Sequence, residues 1–226
     1  VSEGTQEVAE EAVEGPIEAE RDGLTPEPSD EEIRRRDDAL ARIVVYGDPV
    51  LRSRASDVRE FGAEIVAEAE RMIGIMRDAM GVGLAATQLG ALRRMLVFAA
   101  GPDSTPRALV NPTIEYSSDE LATAPEGCLS LPRVIVDVER PLFVRASGVD
   151  VKGEPLLIEA SGLEARVLQH EIDHLDGVLI LDRTERDQRK GAMRALREGT
   201  AFTPFDEDEP DSEEDPGDEP SPAEGA

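Results

Sequence analysis

Apolar residues recur with two different periods along the middle of the chain, while both ends show neither. Between residues 61 and 80 the side chains Ile65, Met72, Ile73, Met76 and Met80 return at helical spacing, which predicts an amphipathic helix closed by Gly81. Short strand-like runs follow at 95–99, 108–110, 113–116, 134–138, 142–146 and 156–158, separated by turns rich in Gly, Pro and Asp. Lys152-Gly153-Glu154 reads as the tip of a hairpin. Ser161 and Glu164 have the spacing of a capping box, opening a helix whose buried side would be Leu163, Val167, Leu168, Ile172 and Leu175. A last helix is expected over 185–197. The folded unit opens at 41–52, where Ile43-Val44-Val45 meets the turn Gly47-Asp48-Pro49. With no internal repeat and no βαβ alternation, the pattern predicts an α+β domain. Short, mostly antiparallel strands would pack around the helix over 161–175, flanked by an N-terminal amphipathic helix and a C-terminal helix.

Charge divides the chain more sharply than hydropathy does. The formal charge of the 226 residues is -26. Residues 1–38 hold 14 acidic and 4 basic side chains and residues 206–226 hold 11 acidic and none basic, leaving about -5 for 39–205. Both ends are also rich in Pro, Gly and Ser, and such segments bury too little apolar surface to offset the entropy of ordering. Acidic disordered extensions are therefore expected at 1–40 and 201–226, around a domain at 41–200. No apolar run approaches the length of a membrane span, and the acidic N-terminal segment lacks the basic start and apolar core of a secretory signal. Neither membrane nor DNA is expected as a partner, and a cytoplasmic location is. The sole cysteine, Cys128, rules out an intramolecular disulfide and fits a reducing compartment.

Three segments carry chemistry. Gln169-His170-Glu171-Ile172-Asp173-His174 contains both histidines of the chain, four apart. On a helix, that spacing puts both imidazoles on one face, where they can meet one metal ion, with Glu171 beside them as a candidate general base. The plainer reading is an amphipathic helix with two polar residues on one side. Glu126-Gly127-Cys128-Leu129-Ser130 adds the only soft ligand, although a cysteine flanked by apolar residues also reads as a small buried hydrophobe. Cys128, His170 and His174 would make three protein ligands, one short of a closed structural zinc site, which leaves a position open for chemistry. In Gly81-Val82-Gly83-Leu84-Ala85-Ala86-Thr87-Gln88, the small residues describe a backbone that something approaches closely, or else a tightly packed turn. Gln88 is a neutral amide donor suited to an oxyanion.

Taken in order, GVGLAATQ, EGCLS and HEIDHLDG resemble the three signature motifs of the peptide deformylases, and Tyr46-Gly47-Asp48-Pro49 resembles that family's usual start. The resemblance spans roughly 41–185 and implies a metal-dependent hydrolase of protein biosynthesis. Such an enzyme removes the N-formyl group from N-formyl-Met nascent peptides and releases formate. It implies Cys128, His170 and His174 as ligands of one divalent metal ion, Fe(II) first, with Zn(II), Ni(II) or Co(II) also accommodated. Glu171 would be the general acid/base, and Gln88 with the backbone N–H of Leu129 the oxyanion hole. Val82, Gly83 and Gly127 would bind substrate, and Glu126 would pair with Arg140 as scaffold. The alternative is a zincin-type metallopeptidase sharing the HExxH helix. Gly177 stands where one zincin group has its glycine, but Ile180 occupies the place of that group's third histidine. Finally, Arg183, Arg186, Arg189, Lys190, Arg194 and Arg197 make the last helix locally basic, as a solvated face or, by the resemblance, as a contact for ribosomes.

Overall fold

The computed structural model describes residues 28–101 and 104–204. The acidic segments 1–27 and 205–226, expected to be disordered, lie outside the described residues. Four α-helices are found among the described residues: α1 (Asp30–Leu40), α2 (Ala63–Asp78), α3 (Gly162–Leu175) and α4 (Arg186–Glu198). The strands are β1 (Gly83–Ala85), β2 (Met95–Phe98), β3 (Arg107–Ser117), β4 (Leu121–Cys128), β5 (Leu131–Pro141), β6 (Phe143–Val149) and β7 (Pro155–Ser161). Five form one sheet in the order β1-β2-β3-β6-β7, and β4 pairs with β5 in a separate ribbon; every pairing is antiparallel. The α+β expectation holds.

Helices cover the sheet on both faces, which explains why β2 is buried at every position rather than at alternate ones. Met95 and Val97 turn toward α2 and pack with Met72, Met76 and Leu84. Leu96 and Phe98 turn the other way, onto Leu168, Ile172 and Leu175 of α3. Each fully buried side chain of this size contributes about 1.5–3 kcal/mol, so the α3 face fixes that helix firmly against the sheet. Val134, Val136 and Val138 alternate along β5 and form a third cluster with Ala192 of α4 and with Leu179, Ile180 and Leu181. The two histidine positions on α3 thus lie between the sheet and the ribbon.

Several expectations need correction. Residues 30–40 are not a disordered extension: Ser29 and Glu32 form a capping box, the first turn is acidic, and Ala39 is buried against the α2 cluster. Residues 201–203 are also ordered, because Phe202 exchanges backbone hydrogen bonds with Arg133 and Ile135 and packs on α4. No side-chain cap forms at Ser161; that residue ends β7 opposite Phe143, and the chain enters α3 through Gly162 at φ 55°. Leu163 is 54 % exposed and lines a groove rather than the core. At the end of α2 it is Met80, not Gly81, that takes the left-handed conformation, with φ 59°, and its side chain leaves the core. The runs at 108–110 and 113–116 form one strand, bent by a bulge where Asn111 has φ 52° and bonds both backbone groups of Val58. The segment before Cys128, absent from the expected strands, is β4; its Pro125 is tolerated because β4 pairs on one side only.

Candidate functional site

A groove of about 770 Å³ runs between β1 and the β4–β5 ribbon, floored by α3. Val82, Gly83, Gln88, Gly127, Cys128, Leu129, His170 and Glu171 all line it. His174, the remaining residue singled out from the sequence, is buried just behind, with Nε2 3.2 Å from Cys128 Sγ. The helical spacing of the two histidines places their rings edge to face with centroids 4.9 Å apart. One donor atom from each of Cys128, His170 and His174 lies within 4.8 Å of the others. Sulfur comes from the end of a strand and both nitrogens from one helix, so the cluster depends on how the ribbon docks on α3.

That docking is held by ionic hydrogen bonds. Arg140 of β5 grips Glu126 with two bonds of 2.6 and 2.9 Å and reaches Asp173 of α3 at 2.9 Å. Glu126 also accepts from Arg166 at 2.7 Å and lies 3.0 Å from His170 Nδ1. A carboxylate on Nδ1 orients the imidazole and, with the proton held there, leaves the Nε2 lone pair available, the usual support for a metal-binding histidine. Glu126 thus touches His170 directly as well as pairing with Arg140. Burial alone would raise the Glu126 carboxyl, but His170 and Arg140 hold it down at about 2. Arg166 further ties α3 to the ribbon through the carbonyls of Val138 and Ala122, at 2.8 and 2.6 Å. Reading the sequence did not find Arg166 or Asp173. Arg166 stands four residues before His170, so the same helical spacing that pairs the histidines puts it on their face.

Glu171 is buried, and burial pushes its carboxyl up to about 7, with the nearby Glu126 charge adding to the rise and His170 opposing it. A carboxyl poised there can take and return a proton near neutral pH. It occupies the space that Gly83 leaves empty: a Cβ on Gly83 would stand 2.7 Å from Glu171 Cδ and 2.8 Å from Cγ, with Oε1 closer still. Glu171 is thus what the small-residue segment lets approach. Gln88 accepts from the Ala85 N–H at 2.9 Å and directs its amide nitrogen toward Ser130 Oγ at 3.2 Å and Cys128 Sγ at 3.7 Å. Its donor end therefore faces the sulfur side of the cluster. For His174, burial and the nearby His170 charge favour the neutral imidazole, the form that can act as a ligand.

Comparison with known proteins agrees with this geometry. Residues 40–190 match the family model described as polypeptide deformylase. A peptide deformylase of Parafrankia sp. is 43% identical over 156 residues, covering 69% of this chain and 85% of the relative. One from Acidothermus cellulolyticus is 45% identical over 160 residues, covering 71% and 87%. Among solved structures, the peptide deformylase of Thermotoga maritima aligns with a TM-score of 0.62 at 44% identity, over 64% of this chain and 97% of that one. Arabidopsis thaliana peptide deformylase 1B, solved with an inhibitor, aligns with a TM-score of 0.67 at 35% identity, over 70% and 88%. Matched over residues 40–190, this chain belongs to the polypeptide deformylase family, which are metal-dependent hydrolases.

Proposed function

We propose that Cys128, His170 and His174 hold one divalent cation, and that Glu171 uses the site to hydrolyse the N-formyl group of formylmethionine on newly made chains. The observation that carries this reading is the buried Glu171 carboxyl beside three convergent donor atoms. The donors fit such an ion: a thiol and two imidazoles make three ligands, and the His170 ring is already oriented through Nδ1. Fe(II) is the choice favoured by family likeness, and this donor set also accommodates Zn(II), Ni(II) and Co(II). When bound, the cation supplies Lewis acidity, polarising the formyl carbonyl and acidifying water.

The protein groups divide the remaining work. β1 is the edge of its sheet and β4 the edge of its ribbon, and both border the groove. An extended peptide can lie between them as an added strand on the backbone of Val82, Gly83 and Gly127, which brings its formyl end to Glu171. Glu171 accepts a proton from the attacking water. Gln88 Nε2 and the Leu129 N–H donate to the oxyanion, each such donor being worth about 3–4 kcal/mol in the transition state. Glu171 then delivers the proton to the departing nitrogen as the C–N bond breaks, leaving formate and a free amine.

The test combines metal analysis of anaerobically prepared protein with formate release from formyl-Met-Ala-Ser. Glu171→Ala is expected to keep its metal and lose nearly all turnover. Full turnover in that variant, metal verified, would overturn the assignment. We place the reaction in the cytoplasm and, through α4, near the ribosome. Arg186, Arg194 and Arg197 lie exposed on that helix, whereas Arg183 is paired to Asp173 at 2.6 Å. Co-sedimentation with ribosomes should weaken with salt and with neutralisation of those three arginines. Binding indifferent to both would remove the ribosome from this reading.

A further inference from the structure

The groove mouth carries two cations that the proposed chemistry does not use. Arg36 of α1 and Arg133 of β5 line it beside the apolar Met80, Val82, Leu129, Ile135 and Leu163. Arg36 comes from α1, and it lies outside the family-matched residues 40–190. α1 is firmly placed: its capping box fixes one end, and Ala39 and Leu40 pack into the cluster built on α2, whose end leads into Met80 and Gly81. Arg133 is anchored by donating to the carbonyl of Gly199, just past α4. The groove's two carboxylates do not offset these charges at the mouth, because Glu126 and Glu171 are both buried and Glu126 is engaged by Arg140 and Arg166. Among the described residues that line the groove, the exposed charges are therefore both positive.

We infer that Arg36 and Arg133 select formylated chains carrying acidic side chains at the second to fourth residues. This rests on the deformylase reading above. A peptide whose formyl end reaches Glu171 must leave through the mouth, and at about 3.3 Å per extended residue its next few side chains pass the two guanidinium groups. A carboxylate there gains an exposed ion pair, and two such pairs amount to about a 3–10-fold preference at low salt.

The experiment uses the full chain with its metal and three C-terminally amidated peptides: formyl-Met-Ala-Ser-Ala, formyl-Met-Glu-Glu-Ala and formyl-Met-Lys-Lys-Ala. Amidation removes the terminal carboxylate, and a free-acid copy of the neutral peptide shows how far that group alone mimics an acidic side chain. The acidic peptide should have the highest kcat/KM, mainly through KM, with the advantage shrinking toward unity in about 1 M salt. Arg36→Glu should reverse the order of the acidic and basic peptides, and Arg133→Gln should narrow the gap. Arg34→Glu makes the same charge change on α1 at a position outside the groove lining, and should keep the preference. Equal kcat/KM for the three peptides, or an acidic preference that survives Arg36→Glu, would overturn the inference. Turnover of the neutral peptide leaves the deformylase reading intact in either case, whereas no turnover of any peptide would refute that reading instead.

Discussion

Gly83→Ala isolates the relation between β1 and Glu171, the proposed general base. The new Cβ would stand 2.7 Å from Glu171 Cδ and 2.8 Å from Cγ, where ordinary contacts need well over 3 Å, so the carboxylate must move by about 1 Å. The fold should tolerate this. Gly83 does not have a left-handed φ, and the displaced atoms are the end of a flexible side chain rather than backbone. Overpacking of this kind costs about 1–3 kcal/mol, a fall in Tm of no more than about 10 °C. Metal content should be unchanged, because the substitution touches neither Cys128 nor the histidines. Catalysis should suffer far more: a misplacement of about 1 Å lowers turnover by about 100-fold, or about 2.7 kcal/mol. Formate release measured on protein of known metal content reads this directly. Glu171→Asp in the Gly83→Ala background shortens the side chain and should show a coupling of about 1–3 kcal/mol in a double-mutant cycle. If Gly83→Ala keeps turnover within about threefold of the parent, about 0.6 kcal/mol, then the glycine does not serve Glu171 and the steric argument fails.

Other expectations follow from the same contacts. A strong chelator should abolish formate release, anaerobic Fe(II) should restore it, and Cys128→Ala should neither retain metal nor recover; turnover by metal-free protein would refute the donor set. Arg140→Met leaves the buried carboxylates of Glu126 and Asp173 short of a partner and should lower stability by about 3–5 kcal/mol in urea unfolding, with an unchanged midpoint arguing against the network. Arg166→Met removes the ties to Val138 and Ala122 while Arg140 still holds Glu126; metal should dissociate about tenfold faster from protein with a normal circular dichroism spectrum. Asp182 has a carboxyl that burial would raise but that Arg52 and the Leu179 N–H hold below its ordinary value of 3.8. A depressed folded value means that its stabilisation is present above about pH 4 and fades as pH falls further, so Asp182→Asn should flatten the acid limb of the stability curve.

How much the sequence revealed depends on whether the signal was local. The faces of α2 and α3 were legible because apolar spacing reports burial directly, and the hairpin at Gly153 because its turn needs φ 88°. β4 was not, because Pro125 and small residues read as loop, and only pairing with β5 makes that segment a strand. α1 was hidden by averaging: fourteen acids over 38 residues suggest disorder, yet Ser29 and Glu32 have the capping-box spacing inside that stretch. The converse happened at Ser161 and Glu164, where the right spacing meets a residue already committed to β7. A local signal fails in either direction when a tertiary partner decides the backbone.

The donor cluster illustrates why its motifs come as pairs of functions. Beside Cys128, the strand motif carries Glu126, and beside His170 and His174 the helix motif carries Asp173. Both acids are gripped by Arg140, at the far end of β5 and part of neither motif. Ribbon and helix are distant in sequence, and neither alone can set the distance between a strand sulfur and two helix nitrogens. One buried guanidinium bonded to an acid from each motif sets that distance, and Arg166 repeats the connection from the helix side. The spacing of HEIDH therefore explains why two imidazoles share a face. The convergence of the sulfur with them follows from charges that, read along the chain, look like ordinary ion pairs.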